Sequence, residues 1–199
     1  MILPIVAYGD PVLRKVGVEL AKDDPNLKKL IADMFETMYA SSGVGIAAPQ
    51  VGKAVRLFLV DTTPFVSGER NDEEEEEYTA EEREQLGNFK KVFINPVIIE
   101  EVGEPWAFNE GCLSIPKIRE DVLRKPKIHI QYYDENFNFF DETYVGIAAR
   151  VVQHEYDHIE GKLFTDRISP LRRRLLKGKL SDISKGKVKV TYKMRFPDK

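Results

Sequence analysis

Cysteine is almost missing from this 199-residue sequence: Cys112 stands alone, so no internal disulfide framework can form. No apolar run approaches the ~18 residues that a membrane-spanning helix needs, and the mean hydropathy of -0.36 agrees. A basic leader is absent as well. Met1-Ile2-Leu3-Pro4-Ile5-Val6 is interrupted by Pro4 and soon followed by Gly9 and Asp10, so the start does not read as a secretory signal. These absences together point to the cytoplasm. The 42% of hydrophobic residues suffices for one core, and the length fits a single domain over 1–199.

What is present is unevenly charged. The formal net charge is only -3, yet residues 69–84 hold ten acids against Arg70 and Arg83, and residues 167–199 hold twelve Lys or Arg against Asp182 and Asp198. The chain therefore carries an acidic surface insert, placed at 64–90, and a basic tail on a nearly neutral body. Asp24-Pro25 is a helix-start signal, and Leu27, Leu30, Ile31, Met34, Phe35, Met38 and Tyr39 follow at helical spacing up to Gly43. Strands are expected over Val55 to Val60, over Val92 to Ile99 with a break at Asn95-Pro96, and over Lys127 to Tyr133 and Phe137 to Val145 as a hairpin. A short helix is expected within the insert, from Thr79 to Gln85. Tyr144 to Glu160 reads as a helix apolar on most sides and therefore central, with Gly161 as its stop. Ser169-Pro170 opens a last helix reaching Ser184, and Lys187 to Tyr192 alternates as a strand would. The sum is an α+β fold, with short antiparallel strands packed around a central metal-binding helix, a C-terminal helix and a final strand.

The metal reading rests on His154-Glu155-Tyr156-Asp157-His158. Spacing of i, i+4 stacks the two imidazoles one turn apart on a helix face, where they can share an ion, with the glutamate beside them as a base. The third ligand is less obvious. His129 alternates with apolar neighbours in Lys127-Ile128-His129-Ile130-Gln131 and faces solvent. Cys112, in Glu110-Gly111-Cys112-Leu113-Ser114, is by itself as readily a small buried apolar residue as a ligand. One cysteine and three histidines, one of them badly placed, leave too few donors for a closed four-ligand structural zinc site. Three ligands and one open position describe a catalytic metal. Gly43-Val44-Gly45-Ile46-Ala47-Ala48-Pro49-Gln50 could let a ligand backbone approach closely, with Gln50 as donor, although an ordinary turn explains it equally well.

Taken jointly and in order, G-V-G-I-A-A-P-Q at 43–50, E-G-C-L-S at 110–114 and Q-H-E-Y-D-H at 153–158 resemble the three signature motifs of the peptide deformylases. The likeness extends to Gly9-Asp10-Pro11-Val12-Leu13-Arg14 and Gly161-Lys162-Leu163-Phe164, and covers residues 2 to 175 apart from the insert. The resemblance implies removal of the formyl group from N-formyl-methionyl nascent peptides. It implies Cys112, His154 and His158 as metal ligands, Glu155 as general acid and base, and Gln50 with the backbone N–H of Leu113 as the oxyanion hole. It implies ferrous iron in the cell, replaceable by zinc, nickel or cobalt. The peptide would lie extended along Val44 and Gly45 with Gly111 opposite. Its methionine side chain would enter a pocket near Val44, Phe108, Ile147, Val151 and His154. Arg150 is expected at the pocket rim with its charge outside, and Arg119 near the peptide path. The basic tail is expected either to be a solvated face or to dock on ribosomal RNA, away from the metal site.

Two other classes are compatible with the pentapeptide alone. A zinc endopeptidase would usually take its third ligand downstream, whereas Cys112 lies upstream. A non-enzymatic metal-stabilised module would need a fourth protein ligand.

Overall fold

A computed structural model describes residues 1–67 and 78–197. Among these residues the strands are β1 (Ile5–Val6), β2 (Gly45–Ala47), β3 (Leu57–Asp61), β4 (Lys90–Val102), β5 (Trp106–Cys112), β6 (Ile115–Arg124), β7 (Lys127–Tyr133), β8 (Phe139–Val145) and β9 (Met194–Arg195). The helices are α1 (Leu27–Ala40), α2 (Ala80–Gly87), α3 (Gly146–Ile159) and α4 (Pro170–Ser184). Five strands make one antiparallel sheet in the order β2-β3-β4-β7-β8, with the three-residue β2 at its edge. A separate antiparallel ribbon joins β5 to β6. This is the α+β arrangement expected from the sequence.

Side-chain alternation explains how the sheet carries two cores. All of β3 is buried: Leu57 and Leu59 pack with Met34, Met38 and Ile46 on the α1 side, while Phe58 and Val60 pack with Ala148, Ala149 and Val152 of α3. The alanines let α3 lie close to the sheet, which makes it the central helix. A third cluster joins Ile115, Ile118 and Val122 of the ribbon to Leu176, Leu180 and Ile183 of α4. Among the described residues no helix is long and apolar enough to cross a membrane.

Several boundaries differ from the sequence reading, each for a local reason. Helix α1 starts at Leu27, because Asp24 Oδ1 accepts the Asn26 N–H at 2.8 Å and turns the chain before the helix begins. Strand β4 runs through Asn95-Pro96 as a bulge; Asn95 adopts φ +49° and its amide bonds both backbone groups of Leu20. Tyr144 and Val145 belong to β8, paired with Ile128 and Lys127, so α3 starts at Gly146. Helix α4 and its Ser169 cap fall where expected, the hydroxyl accepting the Arg172 N–H. Lys187 to Tyr192 forms no strand. The paired residues are Met194 and Arg195, parallel to Ile5 and Val6. The predicted alternation nevertheless survives, with Val188, Val190 and Tyr192 half-buried and Lys187, Lys189 and Thr191 exposed.

Residues 68–77, which hold most of the acidic run, lie outside the described residues. The short helix predicted beside it is α2, opened by a Thr79–Glu82 capping box. The ends of the 64–90 segment are anchored to the body: Leu86 and Phe89 are buried, and the Thr62 hydroxyl donates to the Leu86 carbonyl at 2.7 Å.

Gly161 ends α3 with φ +68°, and a Cβ there would lie 2.6 Å from the Arg14 carbonyl oxygen. Gly161→Ala should lower unfolding free energy by about 2–4 kcal/mol, from left-handed strain plus the carbonyl contact. Urea denaturation against the wild type measures it.

Candidate active site

Helix α3 presents His154 and His158 one turn apart, their ring centroids separated by 5.2 Å. The end of β5 brings up Cys112, whose Sγ lies 3.3 Å from His158 Nε2. The ligand atoms of the three residues all fall within 4.8 Å of one another. That is close to what one ion bridges with bonds of about 2.0–2.3 Å. His129 is elsewhere, in a surface pair with Asp141. Burial, and then the neighbouring His154 charge, push His158 down to about 3, so its imidazole is neutral, as a ligand must be.

The orientation of His154 is set by Glu110, whose Oε2 accepts its Nδ1–H at 2.9 Å. Nε2 is thereby directed toward the cysteine. The same carboxylate accepts from Arg124 Nε and Nη2 at 2.7 and 2.9 Å and from Arg150 Nη1 at 3.0 Å. Burial alone would raise the Glu110 pKa, but the hydrogen bonds of His154 and Arg124 outweigh it and hold the group far below the usual carboxylate range. Arg124 continues to Asp157 of α3 at 2.7 Å, and Asp157 to Arg167 at 2.6 Å. Sequence reading missed the role of Glu110. The signal was available: two residues from Cys112 in a strand, its side chain lies on the same face as the cysteine.

Glu155 has the opposite surroundings. It is buried, its Oε2 has no hydrogen-bond partner among the described residues, and burial raises its pKa to about 7. Gly45 permits this position, since a Cβ there would lie 2.8 Å from Glu155 Cδ. Gln50 is pinned from the other side. Its Oε1 accepts the Ala47 N–H at 2.8 Å, which turns Nε2 toward Cys112 Sγ and Ser114 Oγ, each at 3.4 Å.

A cavity of about 710 Å³ opens beside these groups. Val44, Gly45, Gln50, Phe108, Gly111, Cys112, Leu113, Val151, His154 and Glu155 all border it, as does Arg119.

The polypeptide deformylase family model matches residues 2–174. The chain is 59% identical to a peptide deformylase of Christiangramia forsetii, over all of this chain and 97% of that one. It is 56% identical to one of Flavobacterium johnsoniae, covering 98% and 96% respectively. The chain belongs to the polypeptide deformylase family. Solved deformylases share its fold: that of Legionella pneumophila superposes with TM-score 0.75 at 34% identity, covering 94% of this chain and 98% of that one. For Thermotoga maritima the TM-score is 0.71 at 40% identity, covering 85% and 99%.

Within this deformylase frame two expected positions need correction. Arg150 borders the cavity, as expected, but does not hold its charge at the rim. It is 2% exposed, bonded to Glu110 and to the Val122 and Trp106 carbonyls, and stacked 4.4 Å over the Trp106 ring. Glu110 draws it inward. Ile147 packs against the sheet-and-α3 core and is not among the residues bordering the cavity. Conversely, the cavity wall includes Phe65, from the segment read as a surface insert, and Lys189 to Tyr192, from the tail expected to lie away from the site.

Glu110→Gln removes the charge that Arg124, Arg150 and His154 share. Metal affinity should fall about 10- to 100-fold, and stability by about 3–5 kcal/mol because buried cations lose their counterion. Chelator competition and urea denaturation read the two effects.

Proposed function

We propose that Cys112, His154 and His158 hold a ferrous ion at which this chain deformylates N-formyl-methionyl nascent peptides. As a peptide deformylase the chain is a metallohydrolase that removes the N-formyl group from nascent peptides. The reading of its residues rests on one observation: a buried carboxylate, one oxygen of which has no partner among the described residues, stands beside a Cys-His-His ligand set at the foot of a cavity. A thiolate with two imidazoles suits iron, zinc, nickel or cobalt and disfavours magnesium or calcium. When bound, a divalent ion supplies Lewis-acid activation of water at neutral pH.

The protein groups then divide the work. Glu155, with its pKa near neutrality, takes a proton from the attacking water. The water oxygen bonds to the formyl carbon, and the formyl oxygen gains charge. Gln50 Nε2 and the Leu113 N–H donate to that oxygen. Glu155 returns the proton to the amide nitrogen, the C–N bond breaks, and formate and a free amine leave. The peptide lies extended along the β2 edge at Val44 and Gly45, with Gly111 of β5 opposite. The methionine side chain rests among Val44, Phe65, Phe108 and Val151, which border the cavity.

The basic tail, we further propose, docks on ribosomal RNA. The structure narrows which residues are available for it. Arg172 is committed to Glu120 at 2.7 and 2.8 Å, and Arg173 to the Thr165 and Asp166 carbonyls. Arg174, Lys177 and Lys185 are exposed on α4 and at its end.

Glu155→Gln should keep stoichiometric metal yet lose at least about 100-fold in formate release from formyl-Met-Ala-Ser. Near-normal turnover would remove Glu155 as the proton carrier, and cleavage of internal peptide bonds by the wild type would favour an endopeptidase. Charge reversal at Arg174, Lys177 and Lys185 should weaken ribosome co-sedimentation while leaving turnover on short peptides intact. Wild-type binding should fall by about 0.7–0.9 log units per log unit of salt for each phosphate contact. Unchanged binding in the variant leaves the tail a solvated face.

A further inference from the structure

The C-terminal stretch returns to the site it was expected to avoid. Its position is fixed by the β1–β9 pairing, in which the Ile5 N–H donates to the Lys193 carbonyl at 2.9 Å and the Ala7 N–H to the Arg195 carbonyl at 2.8 Å. Met194 and Phe196 seal it against the cluster of Leu163 and Phe164. Tyr192, one residue before this anchor, is half-buried in the cavity wall. Its hydroxyl donates to the Leu113 carbonyl oxygen at 2.8 Å. The next carbonyl, that of Ser114, accepts the Tyr8 N–H at 2.8 Å. Two successive carbonyls of the turn between β5 and β6 are thus held by the N-terminal and C-terminal stretches.

That turn contains the Leu113 N–H. We propose that Tyr192 is a positioning residue for deformylation, its hydroxyl fixing the Leu113 carbonyl and so the direction of the Leu113 N–H. The proposal rests on the oxyanion role given to Leu113 above. The physical link is short. Peptide planes are rigid, so a residue's N–H and C=O directions are related only by its φ and ψ. Cys112 is constrained on one side by the ligand set, and Tyr192 constrains the carbonyl on the other. A donor to a developing oxyanion contributes only if it is already aimed, and an error near 1 Å can lose on the order of a hundredfold in rate. The ring of Tyr192 fills the wall; only the hydroxyl holds the turn. The two contributions can therefore be separated.

Tyr192→Phe keeps the ring and removes the bond. On formyl-Met-Ala-Ser its kcat should fall about tenfold with KM within about twofold of wild type, the pattern of an interaction made in the transition state. Metal content and Tm should stay at wild-type values. Tyr192→Ala should show the same loss in kcat and add a rise in KM, because the wall is then open. Wild-type kcat in Tyr192→Phe overturns the proposal. So does a loss of kcat that tracks loss of metal or of Tm, which would mark a structural role. Failure of the wild type itself to release formate would instead overturn the parent reading.

Discussion

The Glu110 carboxylate ties the β5–β6 ribbon to helix α3, two parts of the molecule that no backbone ladder joins among the described residues. It comes from β5, its partners Arg150 and His154 come from α3, and Arg124 comes from β6 and reaches on to Asp157 of α3. Among the described residues the β5–β6 ribbon pairs with no strand of the main sheet. One metal ligand rides on the ribbon and two on the helix, so the centre can form only if the two bodies are registered to a fraction of an ångström. Apolar packing is tolerant of small slides, whereas bidentate guanidinium–carboxylate geometry is not. Buried ion networks add little net stability because desolvation offsets attraction. Here the return is geometric: the network specifies where Cys112 stands relative to the histidines.

Two buried glutamates of the site have opposite electrostatic surroundings. Glu110 is held ionised by its cationic partners, while Glu155 has a carboxylate oxygen without a partner among the described residues and is raised by burial to about 7. One can serve only as a fixed charge. The other sits where a proton can be gained and lost at neutral pH. The side chain thus matters less than the company it keeps, and Gly45, by leaving room for nothing else, preserves that isolation.

Local signals in the sequence were the ones that could be read. The His154–His158 spacing, the Ser169 cap of α4 and the short helix expected from Thr79 are all signals carried by nearby residues, and each is found in the structure. The ribbon strand β6 was hidden because its buried face includes Glu120 and Arg124, which read as surface residues until their partners from elsewhere are known. Arg150 was misplaced by the same logic: an isolated arginine belongs at a rim, and the partners that draw it in, Glu110 and the Trp106 and Val122 carbonyls, all lie far away in sequence. Phe65 and Tyr192 were missed because both reach the cavity through long-range folding of segments whose charge dominates their composition. The alternation of the tail was legible, but the neighbour that would have placed it was not.

The edge strand β2 has only three residues. An enzyme that must accept every new chain cannot read side chains closely, and main-chain pairing along an edge is indifferent to them. In the binding mode proposed above, so short an edge limits how much of a chain can be gripped. The same brevity protects this edge of the sheet, opposite the seven-residue β8. A long bare edge invites a second copy or an unfolded neighbour to pair, and in the crowded surroundings of translation such partners are always at hand; three residues are too few to hold them.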